Sequence, residues 1–136
     1  MNVIATALWN KLAGDGTLTG MLSGTAMIFR TQAVGGTAEP ALPYVVYSLY
    51  AGGPLNIVSS DLREPVYFIR GYGTTMGQAG SIDARISTDL HRGTLTVSGY
   101  SVYSLQRDED LELVEDLPNG QNVFMSGGLY RISLDD

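Results

Sequence analysis

The feature that most constrains the fold is a pair of short segments that are bulky on both faces, Tyr44–Tyr50 and Pro65–Tyr72. Each has the length of a single β-strand, and a strand with apolar side chains at successive positions is usually buried on both faces. Pro43, just before the first segment, is tolerated because the first residue of a strand need not donate to the ladder. The sequence therefore predicts two central strands of a sheet.

The N-terminal segment has helical periodicity instead. In residues 2–13 the apolar side chains form one stripe at helical spacing: Val3, Ile4, Ala7, Leu8 and Leu12. The Gly-Asp-Gly sequence at 14–16 ends this helix. A further helical turn is predicted around Leu18 and Met21.

A second helix is predicted from Thr75, which with Gln78 fits a capping box. Its apolar face carries Ala79, Ile82, Ile86 and Leu90, while Asp83, Arg85 and Asp89 are expected off that face. Arg85 and Asp89 are four residues apart and can pair. The sequence His91-Arg92-Gly93 ends the helix, with cations at its negative pole.

The remaining segments are rich in β-forming residues. Short strands are predicted at Met27–Arg30, at Leu95–Leu105 with a bulge at Gly99, and at Leu111–Leu117, and a last one at Val123–Leu134 bends at Gly127-Gly128. Turns are predicted at Asp108-Glu109-Asp110 and, as a hairpin, at Pro118-Asn119-Gly120. This order predicts a single α+β domain over residues 1–136, with an antiparallel or mixed β-sheet and two main helices packed on one face. The other face is then solvated or covered by another subunit.

Composition excludes several classes of chemistry. The 136 residues include no Cys, so disulfides, thiolate metal sites and thiol nucleophiles are absent. The net charge of −6 arises after Arg107: residues 1–107 carry seven bases and six acids, whereas residues 108–136 carry eight acids and one base. With a single Lys and no basic run, tight binding to DNA phosphates is not expected. No apolar run spans a bilayer and no basic start precedes one, so a soluble cytoplasmic protein is expected.

Three patterns that can carry chemistry are each better explained by structure. His91 is the only His, and its position at a helix end indicates a cap and not a catalytic triad. The alternating acids Asp108, Asp110 and Glu112 lack the Gly and Glu of a calcium loop. The turn at 71–77 follows a strand and opens a helix, but it has no Lys as a P-loop requires.

Aromatic residues are concentrated in the two central strands: Tyr44, Tyr47, Tyr50, Tyr67, Phe68 and Tyr72. Such a row can stack single-stranded bases, but without nearby Lys and Arg a role in the sheet core and in subunit contacts is preferred.

Two connections are long for a compact domain, at 30–41 and 52–62. The second has an apolar tip that needs cover, Leu55, Asn56, Ile57 and Val58. This tip is predicted to contact a partner or a neighbouring subunit; the alternative is a loop folded back onto its own sheet.

The segments Ala41–Tyr47, Val66–Tyr72 and Thr75–Asp83, in this order and followed by Leu-His-Arg-Gly at the helix end, resemble the tail-completion (tail-terminator) proteins of long-tailed bacteriophages. The resemblance covers nearly the whole chain in the order of its elements. It implies a structural virion protein that is not an enzyme, needs no cofactor, and assembles in the host cytoplasm.

The resemblance also implies partners. Family members form a hexameric ring that caps the tail tube, stops its polymerisation and presents a surface to the head-completion (stopper) proteins, while DNA passes through the lumen. On this basis the acids Asp108, Glu109, Asp110 and Glu112 are expected toward the lumen or a rim, where they repel DNA phosphates. The alternatives are another virion connector, such as a head-closure or minor tail protein, an anion-binding or enzymatic domain that uses the 71–77 turn, and an antitoxin- or chaperone-like binding module.

Overall fold

A computed structural model describes residues 2–22, 27–30, 42–51, 63–116 and 122–135. Within these ranges the helices are α1 (Asn2–Ala13), α2 (Gly16–Met21) and α3 (Met76–Leu90), and the strands are β1 (Ile28–Arg30), β2 (Tyr44–Ala51), β3 (Val66–Gly73), β4 (Ser101–Asp116) and β5 (Asn122–Asp135). None of these helices is long and apolar enough to cross a bilayer.

The strands form one sheet in the order β1-β2-β3-β5-β4. β1 pairs with β2 in parallel, and the other neighbours pair antiparallel, so the sheet is mixed. This confirms the predicted α+β class. The two segments that are bulky on both faces, now β2 and β3, lie inside the sheet as predicted.

The helices α1 and α3 pack on one face of the sheet and enclose the core. Alternate residues of β3 point into it, with Tyr67 and Ile69 at most 1% exposed. Core side chains from the other elements are Ile4, Leu8, Val45, Tyr47, Ile82, Ile86, Tyr130, Ile132 and Leu134. The buried Tyr47 hydroxyl donates to the Ala5 carbonyl over 3.2 Å and so joins α1 to β2.

The predicted helices are present with two differences. Val3, placed in the apolar stripe of α1, is 39% exposed, while Ala5 is buried in its place. Asp83, expected off the apolar face of α3, is only 7% exposed. A buried carboxylate is stable only with a partner, and the strand residue that supplies it was not recognisable from the helix alone.

The predicted turn at Asp108–Asp110 is wrong, because β4 runs without a break from Ser101 to Asp116. An irregularity in the pairing lies instead between Arg107 and Glu109, so one extra residue is accommodated as a bulge. Acids are compatible with this strand because it is the edge of the sheet, where charges are common.

The predicted strand at Leu95–Leu105 begins only at Ser101, and Gly99 lies in a turn closed by a Val97–Tyr100 bridge. Its φ of +82° is readily adopted by glycine. The predicted bend at Gly127-Gly128 is also wrong, since both residues are paired within the continuous strand β5. The predicted 52–62 loop, the predicted 30–41 loop beyond Arg30, and the predicted hairpin turn at 118–120 lie outside the described residues.

Candidate functional site

The apolar tip predicted as an interface lies outside the described residues, so Leu55, Asn56, Ile57 and Val58 stay a prediction. The described residues instead present two surfaces at opposite edges of the sheet.

The first surface is the acidic edge, defined as Asp108, Glu109, Asp110 and Glu112 on β4. Asp108 accepts a contact of 2.9 Å from Arg131 Nε, and Asp110 accepts one of 2.5 Å from Arg107 Nε. The strand register sets Glu109 opposite Leu129 and Glu112 opposite Ser126, and these two positions belong to different faces of the sheet. The four acids therefore follow one edge of the sheet and do not share one face.

Apolar side chains are interleaved with the acidic edge. Leu111 is 38% exposed, and Leu113 and Val114 are each 49% exposed. Leu111 and Leu113 pair with Gly127 and Met125, which places them on the face without helices, whereas Val114 is on the helix face. The edge thus carries exposed apolar side chains on both faces, among its acids, and exposed apolar groups at an edge strand are a site for contact with another chain.

A buried network fixes this edge to the rest of the molecule. The Arg107 guanidinium donates to both oxygens of Asp83 on α3, over 2.7 and 2.8 Å, and also to the Tyr130 hydroxyl and the Gly127 carbonyl. Ser126 Oγ donates to Asp83 over 2.9 Å. The hydrogen bonds with Asp83 raise the pKa of Arg107 above its usual range. This network is a structural connection between α3, β4 and β5.

His91 belongs to the same connection. Its Nδ1 accepts a hydrogen bond of 3.0 Å from the Arg107 backbone N–H, and the Arg92 N–H donates to the Leu105 carbonyl over 2.8 Å. The C-terminal end of α3 is thus attached to β4 by the His91 side chain and by the Arg92 backbone. Sequence reasoning predicted a cap at His91 but not this contact with a strand.

The turn at 71–77 satisfies its own donors. Gln78 Oε1 accepts from the Thr74 N–H over 2.8 Å, and the Gln78 N–H donates to Thr75 Oγ1 over 3.1 Å. A Cβ on Gly71 would lie 2.5 Å from Ile82 Cγ2, so this glycine permits close packing of α3 on β3. These contacts explain the glycine and the caps without an anion at the helix start.

The aromatic row of β2 and β3 divides between the two faces. Tyr47 and Tyr67 lie in the core, where burial raises the pKa of each phenol. On the other face Tyr44 and Tyr72 stack with their ring centroids 5.1 Å apart, and the Arg70 guanidinium lies 4.4 Å from the Phe68 ring centroid. A continuous stacking platform for bases is therefore not formed by these residues.

The second surface is the helix edge, defined as Val3, Thr6 and Trp9 of α1 together with Arg30 of β1. Val3 is 39% and Trp9 37% exposed, and Trp9 Nε1 donates to the Ile28 carbonyl over 3.3 Å. Two grooves flank these residues. One of about 210 Å³ is lined by Ala5, Thr6, Trp9, Arg30 and Tyr47. The other, of about 440 Å³, is lined by Val3, Thr6, Ala7, Asn10, Thr96 and Ser98.

Sequence reasoning missed the helix edge. Its available signal was Trp9, the only tryptophan of the chain, at a helical position outside the predicted apolar stripe. A large aromatic side chain off the buried face of a helix indicates a contact surface.

A cluster of charged side chains joins the start of α2 to α3. Arg85 donates to both oxygens of Asp15 over 2.6 and 3.1 Å, and its contact with Asp89, predicted from their spacing, is 3.8 Å. The Arg85 hydrogen bonds hold the pKa of Asp15 well below its usual range. Burial, followed by the neighbouring Asp15 carboxylate, raises the pKa of Asp89 to about 7. No group of three His, Asp or Glu side chains in the described ranges is placed to hold a metal ion.

No family model matches the sequence. No curated protein matches it either. The fold, however, is similar to that of a chain in the virion of a native gene transfer agent particle, with a TM-score of 0.76. The match covers 96% of this chain and 93% of the other at 13% sequence identity. A nearly complete match in both directions means that the two chains share one domain architecture.

Proposed function

We propose that this protein is a structural subunit of a phage-like particle. The observation that carries the proposal is the fold shared over almost the full length with a chain from a gene transfer agent virion. The shared fold covers 96% of this chain and 93% of that virion component, which supports a comparable structural place.

The polar clusters support a structural role. The two buried or half-buried ion pairs, Asp83–Arg107 and Asp15–Arg85, each connect different elements of the fold. They position strands and helices against one another, as expected in a subunit that must keep its shape inside an assembly. The exposed apolar side chains at both edges of the sheet supply surfaces for such an assembly.

Within this role we infer that the protein is a tail terminator. A ring, hexameric in the family that the sequence resembles, caps the tail tube, ends its polymerisation and binds the head-completion protein. In this arrangement Leu55–Val58 contact a neighbouring subunit or the tube, and the acidic edge borders the lumen or a rim, where its carboxylates repel passing DNA. The chain itself performs no reaction and binds no cofactor.

The test is to assemble particles with the gene for this protein deleted and to measure tail length by electron microscopy. A tail terminator predicts abnormally long tails that carry no head, and complementation with the intact protein restores uniform length. Tails of normal length together with heads that lose their DNA would assign the chain to head closure instead. Normal, infectious or transducing particles would refute a structural role.

Labelling gives an independent measurement. A small tag on the chain, visualised on intact particles, should lie at the junction of head and tail in a terminator. A label along the tail or at its distal tip would identify a minor tail protein.

A further inference from the structure

We propose that the acidic edge and the helix edge bind each other between neighbouring copies of this chain, head to tail. The inference rests on the proposed function, because a ring subunit needs two different surfaces that are complementary. It names those surfaces and one pair of charged residues, Glu112 and Arg30, that contributes to the contact.

The position of the two surfaces excludes contact within one molecule. They lie at β4 and at α1–β1, on opposite edges of a five-stranded sheet. Four strand spacings separate these edges, which is about 19 Å. The two surfaces can therefore meet only between different molecules, and a contact between unlike surfaces repeats from copy to copy until the rotation closes a ring.

Charge is complementary across the proposed contact. The strand β4 carries six acids and one arginine, Arg107, and that arginine is directed inward to Asp83. The helix edge carries the cation Arg30, and neither α1 nor β1 contains an acid. Lys11 of α1 lies away from this edge, beside Asp15 and Asp89. An edge with excess negative charge thus faces an edge with only positive charge, which orients the approach and disfavours contact between two like edges.

Apolar groups are complementary as well. Leu113 and Val114 are half exposed on β4, and the helix edge offers grooves of about 210 and 440 Å³ beside Trp9 and Val3. A branched aliphatic side chain fits grooves of this size, and Trp is enriched at the centres of protein interfaces. The contact is made by side chains. A sheet that continues from β4 of one copy to β1 of the next is not expected, because β1 has only three residues to pair.

Glu112 and Arg30 are the two charged residues that we choose to reverse by mutation. Both are exposed, and both lie beside the apolar groups of their surface. In a ring the boundary between subunits also opens onto the lumen, so Glu112 can reach the neighbour while Asp108 and Glu109 remain at the rim.

The experiment uses the full chain and its single tryptophan. Mass in solution is measured over a range of concentrations for the wild type, Glu112→Arg, Arg30→Glu and the double variant, together with the emission wavelength of Trp9. The wild type should assemble with a shift of Trp9 emission to shorter wavelength. Each single variant should need roughly tenfold more protein to assemble, and the double variant should recover most of that loss.

Thr88→Arg is the control, because Thr88 is exposed on α3 and belongs to neither edge. It should assemble as the wild type does, and thermal unfolding should show that all variants fold. Single variants that assemble normally, or a double variant that is not rescued, would overturn the inference. A wild type that stays monomeric with tail tubes present, or variants that lose only tube binding, would overturn it too. The tail-length test of the proposed function is unaffected by these outcomes, so the two can fail separately.

Discussion

Asp83 and Arg107, on α3 and β4, form a bidentate ion pair whose two N–O distances are 2.7 and 2.8 Å. The side chains are only 10% and 12% exposed, so the pair lies almost entirely out of water. Each charge depends on the other, because a buried charge without a partner is costly. The pair fixes the position of the edge strand that carries the acidic edge.

Breaking this pair should destabilise the protein severely. Asp83→Asn keeps the volume of the side chain and leaves Arg107 with only the exposed Asp110 as counterion, at a cost of roughly 3 kcal/mol in the free energy of unfolding. The shift in the urea midpoint at constant m-value measures this cost. Asp108→Asn is the matched control, because its partner Arg131 is 50% exposed, and it should cost less than about 1 kcal/mol. Equal losses in the two variants would mean that burial does not decide the strength of these pairs.

The glycines of β5 should not tolerate a methyl group. A Cβ on Gly128 would lie 2.6 Å from Arg107 Nε and 2.8 Å from the Glu109 carbonyl oxygen. Gly128→Ala should therefore lower the free energy of unfolding by about 2 kcal/mol through overpacking. Gly80→Ala in α3, where a Cβ meets nothing within 4 Å, should raise it by about 0.5–1 kcal/mol. Thermal unfolding of both variants measures the difference, and a neutral Gly128→Ala would contradict the close approach of Arg107.

Stability should fall between about pH 4 and about pH 7 through Asp89. Its pKa is about 7 in the fold against 3.8 for the free group, so the folded chain keeps a proton that the unfolded chain releases in this range. Asp89 Oδ2 is buried without a hydrogen-bond partner among the described residues, which disfavours the charged form. Asp89→Asn should then raise the melting temperature at pH 8 by a few degrees and have little effect at pH 4.

Asp15 should give folding stability the opposite pH dependence to Asp89, in a lower pH range. Its pKa is held below the free value of 3.8 by Arg85, so its stabilising effect is present above about pH 4 and decreases as the pH falls further. Melting curves of Asp15→Asn and Asp89→Asn across pH 2–8 separate the two contributions. A pH profile unchanged by either substitution would exclude this cluster as the source of the dependence.

The helix cap at Thr75 should stabilise α3. Thr75 Oγ1 accepts the Gln78 N–H, so Thr75→Ala leaves that donor to water and should cost about 1 kcal/mol. Thr88→Ala, at an exposed position in the last turn of the same helix, should be neutral or slightly stabilising, because Ala has the higher helix propensity. Denaturant unfolding compares the two, and a larger loss at Thr88 would argue against the cap.

The element types were predictable because local periodicity and apolar burial agree. β2, β3 and α3 each have a pattern that only one secondary structure satisfies, and each is found within about a residue of its predicted bounds. The errors fall on β4 and β5. There, charged residues and glycines are usual turn signals. In the structure Asp108 is instead paired with Arg131 on the neighbouring strand and Asp110 with Arg107 on its own strand. The glycines of β5 make room for Arg70 and Arg107.

Of the two candidate surfaces, the acidic edge could be predicted from the sequence and the helix edge could not. The acids of β4 stand out in sequence because eight of the chain's 14 acids follow Arg107. The helix edge does not, because Trp9 and Arg30 are 21 positions apart and meet only when α1 packs beside β1. Contacts that depend on packing between distant segments leave no local pattern to read.

The glycine pair of β5 has one more consequence, for how sequences of this fold can diverge. A Cβ on Gly127 would lie 2.6 Å from Arg70 Cβ, and one on Gly128 would meet Arg107, so each glycine is matched to one arginine of a neighbouring strand. Mutations at these positions are then not independent. We expect Arg107 to be lost before or together with Gly128 in any lineage that changes either, which makes the two columns of an alignment covary although neither residue is one of the exposed residues proposed to bind a neighbour.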